Sequence, residues 1–235
     1  MGSASGAVRC VLGLVLVTGC ASTKVTDRTR YEGTEKLARP NRIIVHDFTA
    51  DATDVPRESP FAADLASAGT PSAQQIALGD KLGAQIAKQL VADLRAMGLP
   101  AVEAAGQPLP RVDDIVLRGY FVTLAPGSAT KRVLLGFGSG SAELQTVVEG
   151  YQMTAQGLRS LRSSEVRSAG GQLPGVVLPA AVLAATANPI GLAVGGTAKL
   201  AGEASGSATI EGAAKRTADE IAVQIKTAAQ RQGWI

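Results

Sequence analysis

A switch in hydrophobic period constrains this 235-residue chain more than any other feature. From Ser72 the apolar residues recur at helical spacing. Ile76, Leu82, Ile86, Leu90, Leu94 and Met97 form one stripe, with Lys81, Gln85, Lys88 and Arg95 elsewhere on the surface. Gly98 follows as a stop signal. From Asp113 the period becomes two: Ile115, Leu117, Gly119, Phe121 and Thr123 take one face of a strand, and Val116, Arg118, Tyr120 and Val122 the other. Residues 42–48, a compact β-branched run, read as a buried strand. Residues 101–104 read as a short strand, and 141–156 and 158–168 as strands with one wet face. Ile210, Ala214, Thr217, Ile221, Ile225 and Ala228 set out a closing helix, with Glu211, Lys215, Glu220 and Lys226 on its flanks. Between the first strand and the first helix, residues 49–73 hold Pro56, Pro60, Pro71 and Gly69 and read as a long loop, functional or partly disordered. Strand, helix, strands, helix in this order predicts an α/β fold (an α+β sandwich): a mixed sheet with helices packed mainly on one face.

The N-terminus carries a different message. Arg9 precedes an apolar run, Val11 to Leu16, and small residues then lead into Val17-Thr18-Gly19-Cys20. Charged end, apolar middle and small-residue cleavage point are the layout of a secretory signal, here residues 1–19. Val17-Thr18-Gly19-Cys20 resembles the bacterial lipobox, which implies that Cys20 begins the mature chain and carries acyl groups. One chain binds a bilayer marginally, at ~0.8 kcal/mol per buried methylene, and several anchor it stably. The alternative is a plain cleaved signal that leaves Cys20 an incidental thiol. Ala21 stands where that class of lipoprotein places Asp for inner-membrane retention, so the resemblance implies the outer membrane of a Gram-negative bacterium, facing the periplasm. Residues 20–40, polar and aperiodic, read as a lipidated tether, and 41–235 as a single α/β domain.

Composition excludes several classes of partner. Removing residues 1–19 from the 235 leaves 216, enough to bury about 70% of the unfolded surface. Cys10 departs with the signal, so no intrachain disulfide can form and the core must carry stability. Arg9 departs as well, so of the 23 basic residues 22 remain against 20 acidic ones, which argues against nucleic acid because that demands clustered cations. At 3% aromatics the chain lacks base-stacking platforms.

From Gly127-Ser128 through Lys131-Arg132-Val133-Leu134-Leu135-Gly136-Phe137-Gly138-Ser139-Gly140-Ser141, ending at Leu144, the chain resembles a bacterial lipoprotein family, domain of unknown function 4410. The family shares a preceding strand like Leu117–Phe121, then a basic residue and an Ile-Gly-Phe-Gly-x-Gly-like segment. The resemblance spans roughly residues 40–230. Ser128 replaces a common Asn, and Leu135 a common Ile. It implies an envelope lipoprotein of α/β type and no defined chemistry. More loosely, the layout is similar to periplasmic modules of curli-secretion, Tol-type and penicillin-binding-protein-activating lipoproteins, an analogy of fold alone.

No catalytic constellation emerges. Gly136-x-Gly138-x-Gly140 brings its third glycine one residue too early for a dinucleotide fingerprint, and residues 142–151 read extended, so a tight strand connection is the better account. Arg132 beside it suits a lipid headgroup, an acidic partner or plain solvent. His46, the only histidine, neighbours Asp47, yet adjacent strand residues point to opposite faces. Asp47, Asp51 and Asp54 lack the glycine and terminal glutamate of a calcium loop. No metal and no cofactor are expected.

Residues 168–198 contain no charge, with Pro174, Pro179 and Pro189 among several glycines. Within 168–206, Asn188-Pro189 can turn the chain into a Gly/Ala/Pro-rich apolar hairpin of short helices. Gly191-x-x-x-Gly195 there offers a flat face for close contact. Such a hairpin packs on its own domain, meets another copy or another envelope protein, or enters the membrane. The expected function is a non-catalytic, lipid-anchored interaction or assembly module, with an envelope protein or itself as partner. Arg132, Gly136, Phe137, Gly138, Gly140, Gly191 and Gly195 are the candidate interaction residues. Two alternatives are a subunit of an oligomeric envelope pore or secretion apparatus, and a hydrolase using carboxylates near Asp47, Asp113 or Asp114.

Overall fold

The computed structural model describes residues 23–30, 36–57, 59–67, 70–126, 142–169 and 209–235. The strands are β1 (Thr23–Arg30), β2 (Ile43–Val45), β3 (Ala101–Glu103), β4 (Ile115–Ala125), β5 (Glu143–Thr154) and β6 (Gly157–Ala169). The helices are α1 (Ala62–Ser67), α2 (Ala73–Ala96) and α3 (Ile210–Gln232). Among the described residues one six-stranded sheet runs in the order β1-β6-β5-β4-β2-β3. β2 lies parallel to both β3 and β4, and the other neighbours are antiparallel. The mixed sheet is a consequence of the chain order. The β2–α2–β3 crossover enforces parallel pairing, whereas the short turn at residues 155–156 folds β5 and β6 into an antiparallel hairpin.

Helices α2 and α3 pack on one face, as the periodicity predicts. Leu82, Ile86, Leu90 and Leu94 of α2 meet Ala214, Ala218 and Ile221 of α3 over Ile115, Leu117, Phe121, Leu144, Val148 and Val166 of the sheet. Both helices begin at built caps. Ser72 Oγ accepts from Gln75 N while Gln75 Oε1 accepts from Ser72 N, and Thr209 Oγ1 accepts from Gly212 N. α3 ends at Gly233, whose φ of 75° closes the helix and turns Trp234 back onto the core. The opposite face of the sheet carries a smaller cluster, in which Phe61 and Leu65 cover Tyr120 and Val147.

Three expectations need correction. Residues 23–30 form an edge strand rather than tether, paired with β6 from Thr23–Ser168 to Arg30–Arg162. Its sequence, TKVTDRTR, holds one apolar residue, Val25, so a polar edge of this kind gives no alternating signal. The segment 49–73 contains a short 3-10 turn (Ala52–Asp54) and α1, both too brief to show a period. The first strand, read as 42–48, pairs regularly only over Ile43–Val45, although Thr49 rejoins the sheet by a bridge to Tyr120. Among the described residues no helix is long and apolar enough to cross a membrane. The signal segment 1–19, Cys20, the glycine segment with Arg132, Gly136, Phe137, Gly138 and Gly140, and residues 170–206 of the apolar hairpin, with Gly191 and Gly195, lie outside the described residues, whereas Ser168 and Ala169, read as the start of that hairpin, are the end of β6.

Candidate functional site: an apolar cavity beneath the last helix

Between the sheet and α3 lies a cavity of about 320 Å³. Leu117, Val148 and Leu161 form its floor, and Ile221, Ile225 and Trp234 its roof. Two small residues open the space. Gly150 sits in the middle of β5, where a side chain would meet the Leu117 methyl, and Ala228 faces the cavity from α3. The space opens to solvent at its margin, and its volume falls within the ~300–1,000 Å³ range of small-molecule sites.

A polar rim borders the cavity. Arg162 Nη2 donates to Asp27 Oδ1 and to Gln224 Oε1, each at 2.5 Å, and Ser164 Oγ donates to Asp27 Oδ1 at 2.9 Å. Three elements (β1, β6 and α3) are thereby joined at one margin. Arg231, exposed in the last turn of α3, adds a second cation. At the far margin Trp234 Nε1 donates to the Leu37 carbonyl at 3.0 Å, and Leu37 N donates to Gln232 Oε1 at 2.8 Å. The tryptophan is therefore fixed in orientation while its ring lines the cavity.

The other face of the sheet holds a buried polar network. Glu149, fully buried in β5, accepts from Ser59 Oγ at 2.6 Å and from Tyr151 OH at 2.7 Å. Burial pushes the Tyr151 phenol up, and the hydrogen bond and charge of Glu149 push it further. Tyr120 is pushed up to about 12, first by burial and then by the Glu149 charge, with Arg118 opposing. Of the two phenols, Tyr151 is the one that donates to Glu149. Chemically, the network fastens the Ser59–Phe61 segment onto the sheet, because both carboxylate oxygens are already satisfied.

The carboxylates singled out from the sequence take separate places. Asp114 is buried before β4, where its Oδ2 accepts from Arg42 Nη2 at 2.5 Å, Arg42 Nε at 3.1 Å and Arg111 N at 2.9 Å. Asp113 adopts a φ of 70° and accepts from Gln152 Nε2. Asp47 is exposed beyond the other end of β2, and no hydrogen bond joins it to half-buried His46. Burial lowers the His46 pKa, and the Arg118 charge lowers it further. Asp51 Oδ1 accepts from Thr53 N and Oγ1 at 2.8 Å each, which lowers its pKa and nucleates the 3-10 turn. Among the described residues, no group of three or more His, Cys, Asp or Glu side chains is arranged to hold a metal ion.

Sequence reasoning named neither the cavity nor the Glu149 network. The available signals were Gly150 inside a strand and Glu149 on the same side of β5 as Val147.

Comparison with known proteins completes the picture. No curated protein sequence matches the chain. Among solved structures, a PelC dodecamer from Paraburkholderia phytofirmans is similar at 15% identity, covering 64% of this chain and 83% of that one with a TM-score of 0.35. The hypothetical protein CT253 from Chlamydia trachomatis is similar at 8% identity, covering 79% and 95%, with a TM-score of 0.39. A family model described as a domain of unknown function matches residues 43–187, as the glycine segment and its preceding strand predict. The match takes in more than half of the chain, which therefore belongs to the DUF4410 family.

Proposed function

We propose that this chain is a lipid-anchored outer-membrane protein facing the periplasm, a non-catalytic interaction module that takes an apolar group of its partner into the cavity beneath α3. The cavity carries the reading. An apolar space of about 320 Å³, bounded by a hydrogen-bonded rim, is shaped to receive an aliphatic or aromatic group. The address rests on Val17-Thr18-Gly19-Cys20 and the apolar run before it.

Trp234 is the only tryptophan in the chain and lines the cavity, so its fluorescence reports occupancy directly. Titrating the full chain in nanodiscs with 11-bromoundecanoate will quench Trp234 saturably, because bromine quenches on contact. Ala228→Phe, which fills the space from α3, will weaken this binding at least about tenfold, a loss of ~1.4 kcal/mol. Its thermal unfolding midpoint will not fall. Quenching that rises linearly with ligand, or that is identical in the Ala228→Phe protein, would refute the cavity as the binding site.

A further inference from the structure

The sheet has two unlike ends, and the chain brings its membrane-directed features to one of them. The register sets Thr23 opposite Ser168, Ser168 opposite Leu144, and Leu144 opposite Leu124. On this one level β1 begins, β4 ends, β5 begins and β6 ends. The N-terminus of α3 is fastened to the same level. Ser168 Oγ shares a hydrogen bond of 2.8 Å with Thr217 Oγ1, and Arg216 Nη2 donates to the Ala169 carbonyl at 3.0 Å. The turn at 155–156, the start of β4 and Trp234 lie at the opposite end.

We infer that the end at which β1 begins is the bilayer-facing surface of the domain, seated on phospholipid headgroups. The inference rests on the proposed acylation of Cys20. Cys20 precedes Thr23 by three residues, and an extended chain advances at most ~3.6 Å per residue, so the anchor can hold Thr23 no further than roughly 11 Å away. A tether of about twenty residues would leave orientation free; three residues do not. Lys24 and Arg167, cross-strand neighbours at this end, are both exposed and place cations where anionic headgroups lie, although Arg167 Nε also donates to Glu165 Oε1 at 2.6 Å. β5 and β6 run twelve and thirteen residues, which sets the 155–156 turn roughly 40 Å further from the lipid at ~3.3 Å per residue. The connections 127–141 and 170–208 are joined to the sheet at this same end, through Ala125, Glu143 and Ala169. The second of them includes most of the uncharged run that ends before Lys199.

The experiment uses the full chain, processed by its own leader and reconstituted into vesicles of phosphatidylcholine and phosphatidylglycerol. Cys10 leaves with the leader and Cys20 is acylated, so an introduced cysteine is the sole thiol. Glu143→Cys marks the near end and Gln156→Cys the far end, both at exposed positions. Lys24→Cys replaces the former if it fails to fold. Each is labelled with bimane, and headgroup nitroxide lipids serve as quenchers. The expected result is strong quenching at 143 and none above background at 156. Equal or reversed quenching on a chain whose mass shows the acyl groups would overturn the orientation and leave the anchor standing. A mass without acyl groups would overturn both.

Discussion

Gly83→Ala will be among the most damaging single-methyl additions in this domain, lowering stability by about 4 kcal/mol or preventing folding. A Cβ at Gly83 would stand 1.7 Å from the Phe48 carbonyl oxygen and 2.6 Å from its carbon. Those are backbone atoms and cannot swing aside. The same segment is held from every side. Gly79, one turn earlier on α2, faces Ala50, and Gly119 of β4 leaves room for the Phe48 ring. Thr49 N donates to the Gly119 carbonyl, and Phe121 N donates to the Thr49 carbonyl. Relieving the clash therefore means moving α2 off the sheet. For a chain of this length ~4 kcal/mol corresponds to a fall of roughly 8–16 °C in unfolding midpoint, measurable by circular dichroism. Gly98→Ala makes the comparison, since nothing lies within 4 Å of its Cβ and only the φ of 80° opposes it. It will cost about 1 kcal/mol. Equal effects at the two positions would refute the close-approach account.

Arg42→Met will cost ~3–5 kcal/mol, because it strands the buried Asp114 carboxylate. The Asp114 side chain is 1% exposed and keeps only the Arg111 amide once the guanidinium is gone. The pair joins the entry of β2 to the entry of β4, and Ile115 N donating to the Arg42 carbonyl at 2.9 Å reinforces the junction. Combining Arg42→Met with Asp114→Asn removes the unpaired charge and will recover much of the loss, since the penalty lies in the orphaned ion. Urea unfolding of the two single variants and the double variant measures the coupling. Strict additivity would show that the pair does not act as a unit.

How much of this was legible in the chain depended on the range of the signal. β4 shows its alternation openly: Ile115, Leu117 and Phe121 meet the helices while Tyr120 meets Phe61 and Leu65. α2 and α3 span six or more turns each, so their stripes are unmistakable. β1 is held by main-chain pairing and by the Asp27 bonds to Arg162 and Ser164, none of which leaves an apolar pattern. Asp113 and Asp114 read as candidate carboxylates for a hydrolase because residue type was visible and partner was not. Their partners, Gln152 and Arg42, stand 39 and 72 positions away in the chain. The cavity is defined by what Gly150 and Ala228 lack, and only the fold places those two residues across from each other.

The most direct measurement is the intact mass of the N-terminal peptide from the protein made by its own gene in a Gram-negative envelope. The account predicts a chain that starts at Cys20 and bears a thioether-linked diacylglycerol with an acylated amine, in the outer-membrane fraction. A polypeptide beginning at Met1, or one whose Cys20 retains a bare thiol, would contradict it.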